Sequence, residues 1–327
     1  MSTPSPNRSP VALGGLLAGL SVAFAMMSQA MPLIFGFLAA LPLAMAVILL
    51  SPRDGILIAA VTAILEGVLL GPMIAVAFFC QYSLMGLVSG WLVKKGKSYA
   101  SNFVATTLSQ IVGVAVLLFT QFAVMGFNVT EFVNTHLHIE DEMLANAESM
   151  GLYDSMAQAG GTSVGQAELM FQQIIHTLVQ ILPSIYVVLF AVLTGIHLYF
   201  LHWLCNRMRT SVNVPAPKLK KIIMPIWTLV PFLLSWIVLL LHNHFTSPAL
   251  WRIAVNVMIV AAAGMAVDGF SYIVVRIKFS EASFMWKMLY IMLAIFLSWY
   301  LIIFFALVGT FDCISDFRHL REPKKGV

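Results

Sequence analysis

The chain has 327 residues, of which 60% are hydrophobic and only 10% charged, with a formal net charge of +4 and a mean hydropathy of +0.93. That balance excludes an ordinary soluble domain and leaves an integral membrane protein. The three cysteines, Cys80, Cys205 and Cys313, are far apart and odd in number, which excludes a disulfide framework and a CxxC metal site.

Runs apolar enough to cross about 30 Å of hydrocarbon at about 1.5 Å per residue fall at 11–31, 33–50, 55–71, 73–93, 103–127, 174–202, 222–241, 249–275 and 284–308. They are continuous and rich in Leu, Ala, Met and Phe, so they predict helices; a barrel would alternate apolar and polar residues over shorter segments. The fold class expected is an all-α polytopic membrane bundle of eight or nine spans. Its parts are a six-span bundle at 1–206 that includes an external acidic segment at 128–173, a basic linker at 207–221, and C-terminal membrane helices with a basic tail at 222–327.

Arg8 followed by an apolar run and "SQA" imitates a signal peptide, but the run exceeds the usual length of one and reads as a retained first span. In that span Gly15, Gly19 and Ala23 recur every four residues, a flat stripe suited to packing within the bundle or to docking another protein. Gly86 and Gly90 form a second such pair in the fourth span.

"ILEGVLLGP" places Glu66 in the third span, among apolar and small residues. It stands five residues before Gly71, about 7 to 8 Å below the outer end at helical rise. An acid at that depth is either a structural group that is protonated or hydrogen-bonded, or a ligand group facing a cavity. Gln29, Gln81 and Gln121 come out at a similar level, so the binding reading groups them with Glu66 as a site for a small polar solute.

The segment from Asn128 to Gln173 carries seven acidic residues and no Lys or Arg, and faces outside by the positive-inside rule. Within it "THLHIEDE" sets His136 beside His138, but the two rings point about 200° apart on a helix, so an amphipathic surface helix is favoured over a metal site. Lys94, Lys95 and Lys97, the cations of the 207–221 linker, and Arg276, Lys278 and Lys287 mark cytoplasmic loops, which puts the N-terminus inside the plasma membrane too. Asp268 is a second buried acid, with Arg276 or Lys278 as the expected local partner and no link to Glu66. Nine full crossings would leave Arg318 and Arg321 outside; two short helices over 284–320 that dip in and return, turning near Ser298, would keep the tail inside.

"ALGGLLAGLSVAFAMMSQAMP", Pro32 and Pro42, "SPRDG", "EGVLLGP" and "LMGLVSGWLVKKGK" resemble the opening of the substrate-binding membrane subunits of energy-coupling-factor vitamin transporters. "LVGTFDCISDFRHLR" resembles the closing motif of the YybS-like family of uncharacterised bacterial membrane proteins. The first resemblance implies a six-helix transporter-subunit-like part, and matches Gly15, Gly19 and Ala23 to the stripe by which such subunits contact an energising membrane partner with its ATPases, glycines standing where alanines are usual.

The sequence carries no GxSxG, HExxH, P-loop or GxGxxG in a βαβ setting. No enzyme activity, cofactor, metal or nucleic-acid partner is expected; the expected partners are the bilayer, a small polar solute and an energising subunit. The alternative is a membrane scaffold in envelope or cell-shape processes.

Overall fold

The computed structural model describes residues 9–125, 141–208, 222–241, 247–279 and 298–318, with single positions between them. All the regular structure among the described residues is helical. The helices are α1 (Pro10–Ser28), α2 (Pro32–Leu49), α3 (Pro52–Leu70), α4 (Pro72–Phe78), a π turn (Phe79–Ser83), α5 (Leu84–Lys94) and α6 (Tyr99–Met125), followed by α7 (Leu152–Gly160), α8 (Val164–Arg207), α9 (Leu229–Leu240), α10 (Pro248–Phe279) and α11 (Ser298–Ser315). Each of α1 to α4 begins on a proline, where the missing N–H would have had no helical partner and the fixed φ favours the first turn.

Among the described residues five stretches are long and apolar enough to cross a membrane: α1, the continuous Pro72–Lys94, α6, α8 and α10; shorter apolar helices lie at Phe35–Leu49, Ile226–Leu240 and Tyr300–Ser315. α3, expected as a span, carries Arg53, Asp54 and Glu66 and is not among the five. α8 runs for 44 residues, about 66 Å at helical rise, and begins ten residues before the expected span. His136 and His138 lie outside the described residues.

The chain divides into two compact units, one formed by residues 1–135 and 189–217, the other by 136–188 and 218–327. In the first unit α2 is the central helix: Ala39, Ala40, Leu43, Ala44, Met45 and Ala46 are at most 1% exposed. It has no polar face, so neighbours cover it on all sides. Gly86 and Gly90 let α5 lie directly on it, since a Cβ at either position would stand 2.5 Å from the Ala40 carbonyl oxygen or 2.7 Å from that of Ala44. Lys94 closes the helix end by donating to the carbonyls of Val47 (3.0 Å) and Leu50 (2.7 Å). The "SPRDG" turn then starts α3, with the Asp54 amide donating to Ser51 Oγ at 3.1 Å and Ser51 Oγ donating to the Asp54 carboxylate at 2.7 Å.

In the second unit α10 and α11 cross at Gly269 and Gly309, where a Cβ on either would collide with the other helix's backbone at Phe305 or Met265. Partners advance together, from Gly309 beside Met265 and Gly269 to Phe317 beside Tyr272 and Arg318 beside Ser271. The two helices therefore run in the same direction, and the chain leaves α11 on the side where α10 ends. Elsewhere in this unit Asn256 of α10 serves the break that Pro183 makes in α8. Its amide donates to the Gln180 carbonyl at 2.9 Å and accepts from the Ser184 amide at 2.8 Å, the pair that would bond directly in an unbroken helix.

Candidate functional site

Residues Gly55, Ile58, Ala59, Thr62 and Glu66 are the buried positions of α3, and their spacing of three and four puts them on one face. That face is wedged between neighbours. Gly55 meets Val47 of α2 and Leu87 of α5, Ile58 reaches the flat surface at Gly14 of α1, and Gly67, next to Glu66, faces Ala75 of α4.

Glu66 is 0% exposed, and neither carboxylate oxygen has a hydrogen-bond partner among the described residues. Gln29, Gln81 and Gln121 therefore donate nothing to it. Gln29 is exposed at the end of α1, while Gln81 and Gln121 are half-buried. The extra residue in the π turn alters the facing that α-helical counting assigns to Gln81. What lies along the same face one turn earlier is Thr62, whose Oγ1 is also buried without a partner. The π turn packs on α3 and carries Ser83, another buried and unpartnered hydroxyl.

The stripe on α1 faces away from the unit. No atom of the described residues comes within 4 Å of a Cβ placed at Gly15 or Gly19, and Ala23 is exposed. The opposite side, Leu17, Ala18, Ser21, Val22 and Ala25, is the buried one, and Ser21 Oγ donates to the Ala39 carbonyl at 2.8 Å.

A second polar group was not foreseen. His197 Nε2 and Ser89 Oγ are 2.9 Å apart, Asn102 donates to the Ser89 carbonyl at 3.4 Å, Thr106 donates to Asn102 Oδ1 at 2.9 Å, and Gln110 donates to Thr194 Oγ1 at 2.6 Å. These residues tie α5, α6 and the second half of α8 together. Their signal in the sequence was polar residues recurring along a single face of the fifth and sixth spans.

The closing motif forms a buried ionic clasp in the second unit. Arg318 donates to Asp312 through Nε at 2.8 Å and to Ser271 through Nη1 at 2.9 Å, and also pairs with Asp268. Asp268 accepts from the Met224 amide at 2.9 Å, and Cys313 donates to the Met224 carbonyl at 3.3 Å. Asp268 is thus held by an arginine fifty residues further on; the side chains of Arg276 and Lys278, its expected local partners, lie outside the described residues. Distance along the chain hides this link, because the parallel run of α10 and α11 brings the two sites together.

The family described as "Predicted membrane protein (DUF2232)" matches residues 16–313. The chain belongs to this family. As a DUF2232 protein it is an integral membrane protein, and the matched region takes in Glu66, the polar seam and both acids of the clasp. No curated protein and no solved structure matches the chain.

Proposed function

We propose that this DUF2232 protein is a substrate-binding or transport subunit for a small polar solute, energised by another chain and carrying out no bond-breaking chemistry itself. The observation that carries this reading is Glu66, a carboxylate buried in an apolar bundle with no partner for either oxygen. Such a group costs several kcal/mol, about 2.5 to 3.5 on insertion scales at the membrane centre, and a ligand that supplies the missing donors offsets it. The open stripe at Gly15, Gly19 and Ala23 supports a docking face for an energising membrane partner with ATPases, as the transporter resemblance implies. The common direction of α10 and α11 supports a cytoplasmic tail, eight full crossings and a cytoplasmic N-terminus in the plasma membrane.

The scaffold reading has one observation in its favour: the Ser89–His197 and Gln110–Thr194 bonds join helices to one another and serve helix assembly. Purification of wild type and Glu66→Gln from native membranes, followed by release and mass spectrometry of retained small molecules, decides between them. A polar solute retained by wild type and lost from a folded Glu66→Gln protein is the expected result. Identical retained molecules in both would remove Glu66 from the binding site.

A further inference from the structure

Hydroxyls inside a membrane helix ordinarily donate to the carbonyl three or four residues back, because no water is at hand. This chain does so repeatedly. Thr120 donates to Val116, Thr310 to Ala306, Ser235 to Pro231, Ser109 to Thr106 and Ser28 to Ala25, at 2.6 to 2.8 Å. Thr62 and Ser83 are 0% exposed and make no such bond, and Glu66 stands one helical turn from Thr62 on the same buried face.

The buried unpartnered atoms on α3 and the π turn packed against it are therefore all oxygens: two from a carboxylate and one from each hydroxyl. Among the described residues no Lys, Arg or His hydrogen-bonds the carboxylate. A set of oxygens with one formal negative charge matches a cation of charge +1. A divalent ion would leave the site positive in a low-dielectric interior, and its usual sites gather several carboxylates. An anionic ligand would meet like charge, and a neutral one would leave the carboxylate uncompensated.

We propose that Glu66 and Thr62, with Ser83 of the π turn, form a site for one monovalent metal cation, Na⁺ or K⁺, stripped of most of its water. The assignment rests on the reading of Glu66 as a ligand group and names the class of ion that group takes. In a transport subunit the bound ion is either the cargo or the partner of a polar cargo.

The test uses the full chain in nanodiscs, melted at fixed pH and ionic strength in sodium, potassium or choline chloride. Sodium or potassium should raise the melting temperature over choline in a saturable way, by roughly 2 to 4 °C. The ion concentration giving half the effect should rise about tenfold or more in Thr62→Val, a change that keeps the side-chain shape, and the shift should vanish in Glu66→Gln. Thr62→Val carries the test alone if Glu66→Gln does not fold. Equal melting in the three salts, or a shift untouched by Thr62→Val, overturns the proposal. So does stabilisation by acid that is the same in every salt, which would put a proton on Glu66 in place of a metal ion. A solute retained through Glu66 without any salt effect would sink the cation assignment and leave the transport reading standing. A saturable ion effect with neither a retained solute nor ion uptake into proteoliposomes would do the reverse.

Discussion

Replacing Arg318 by Leu removes the cation that pairs with both Asp268 and Asp312 and leaves the two acids facing each other. The side chains of both acids are 0% exposed and that of Arg318 is 7% exposed, so water screens the loss very little. Breaking a buried pair by removing one partner costs about 3 to 5 kcal/mol, and the lost bond to Ser271 adds about 1 kcal/mol. One kcal/mol moves the midpoint of a unit of this size by roughly 2 to 4 °C, so Arg318→Leu should melt on the order of 10 °C lower in detergent, with the tail cleaved faster by protease. Asp312→Asn works as the control. With Arg318, the two acids carry a formal sum of −1, and Asp312 Oδ1 has no partner, so removing that charge should leave stability within about 1 kcal/mol of wild type. In Arg318→Leu it should restore part of the loss. An Arg318→Leu protein that melts with wild type, or an Asp312→Asn protein as damaged as Arg318→Leu, would refute the clasp.

The two glycine patterns separate by their surroundings. Gly90→Leu drives a side chain into the Ala44 backbone and should cost more than about 3 kcal/mol or abolish folding, whereas Gly19→Leu points into open space and should leave the melting temperature within about 2 °C while any bound membrane partner is lost on co-purification. Retention of the partner by Gly19→Leu would remove the stripe as a docking face. Asn256→Leu strips both bonds at the Pro183 break and should destabilise by about 1 to 3 kcal/mol, read as faster amide exchange around Ser184; unchanged exchange there would show that the break is stable without it.

Helix positions were legible because the apolar runs are long and the prolines at 10, 32, 52 and 72 mark their starts. The facing of side chains was not. Glu66 stood out because a charge in an apolar run is conspicuous wherever it points, but its companions were selected by depth alone, and depth does not say which amides turn inward. Gln29 lies past the last turn of α1, and the π turn displaces Gln81 from the register that even spacing implies. Thr62 went unremarked because a threonine in a span usually bonds its own backbone, and only coordinates show that this one does not. The closing motif is visible as a pattern, yet its link to Asp268 is not, because nothing in the sequence says that α10 and α11 run in parallel.

The contrast between the two buried acids bears on function more than either does alone. Asp268 receives an arginine, a backbone amide and the support of Ser271 around that arginine, so this chain does neutralise a buried carboxylate where the role is structural. Glu66 is equally buried and receives no hydrogen bond from any described group. Gln or Leu would fill the same space without the desolvation cost, so packing alone supplies no reason for an acid at this position. On the proposed reading the occupant arrives from outside the chain, and the buried hydroxyls of Thr62 and Ser83, which have no hydrogen-bond partner among the described residues, are its other ligands.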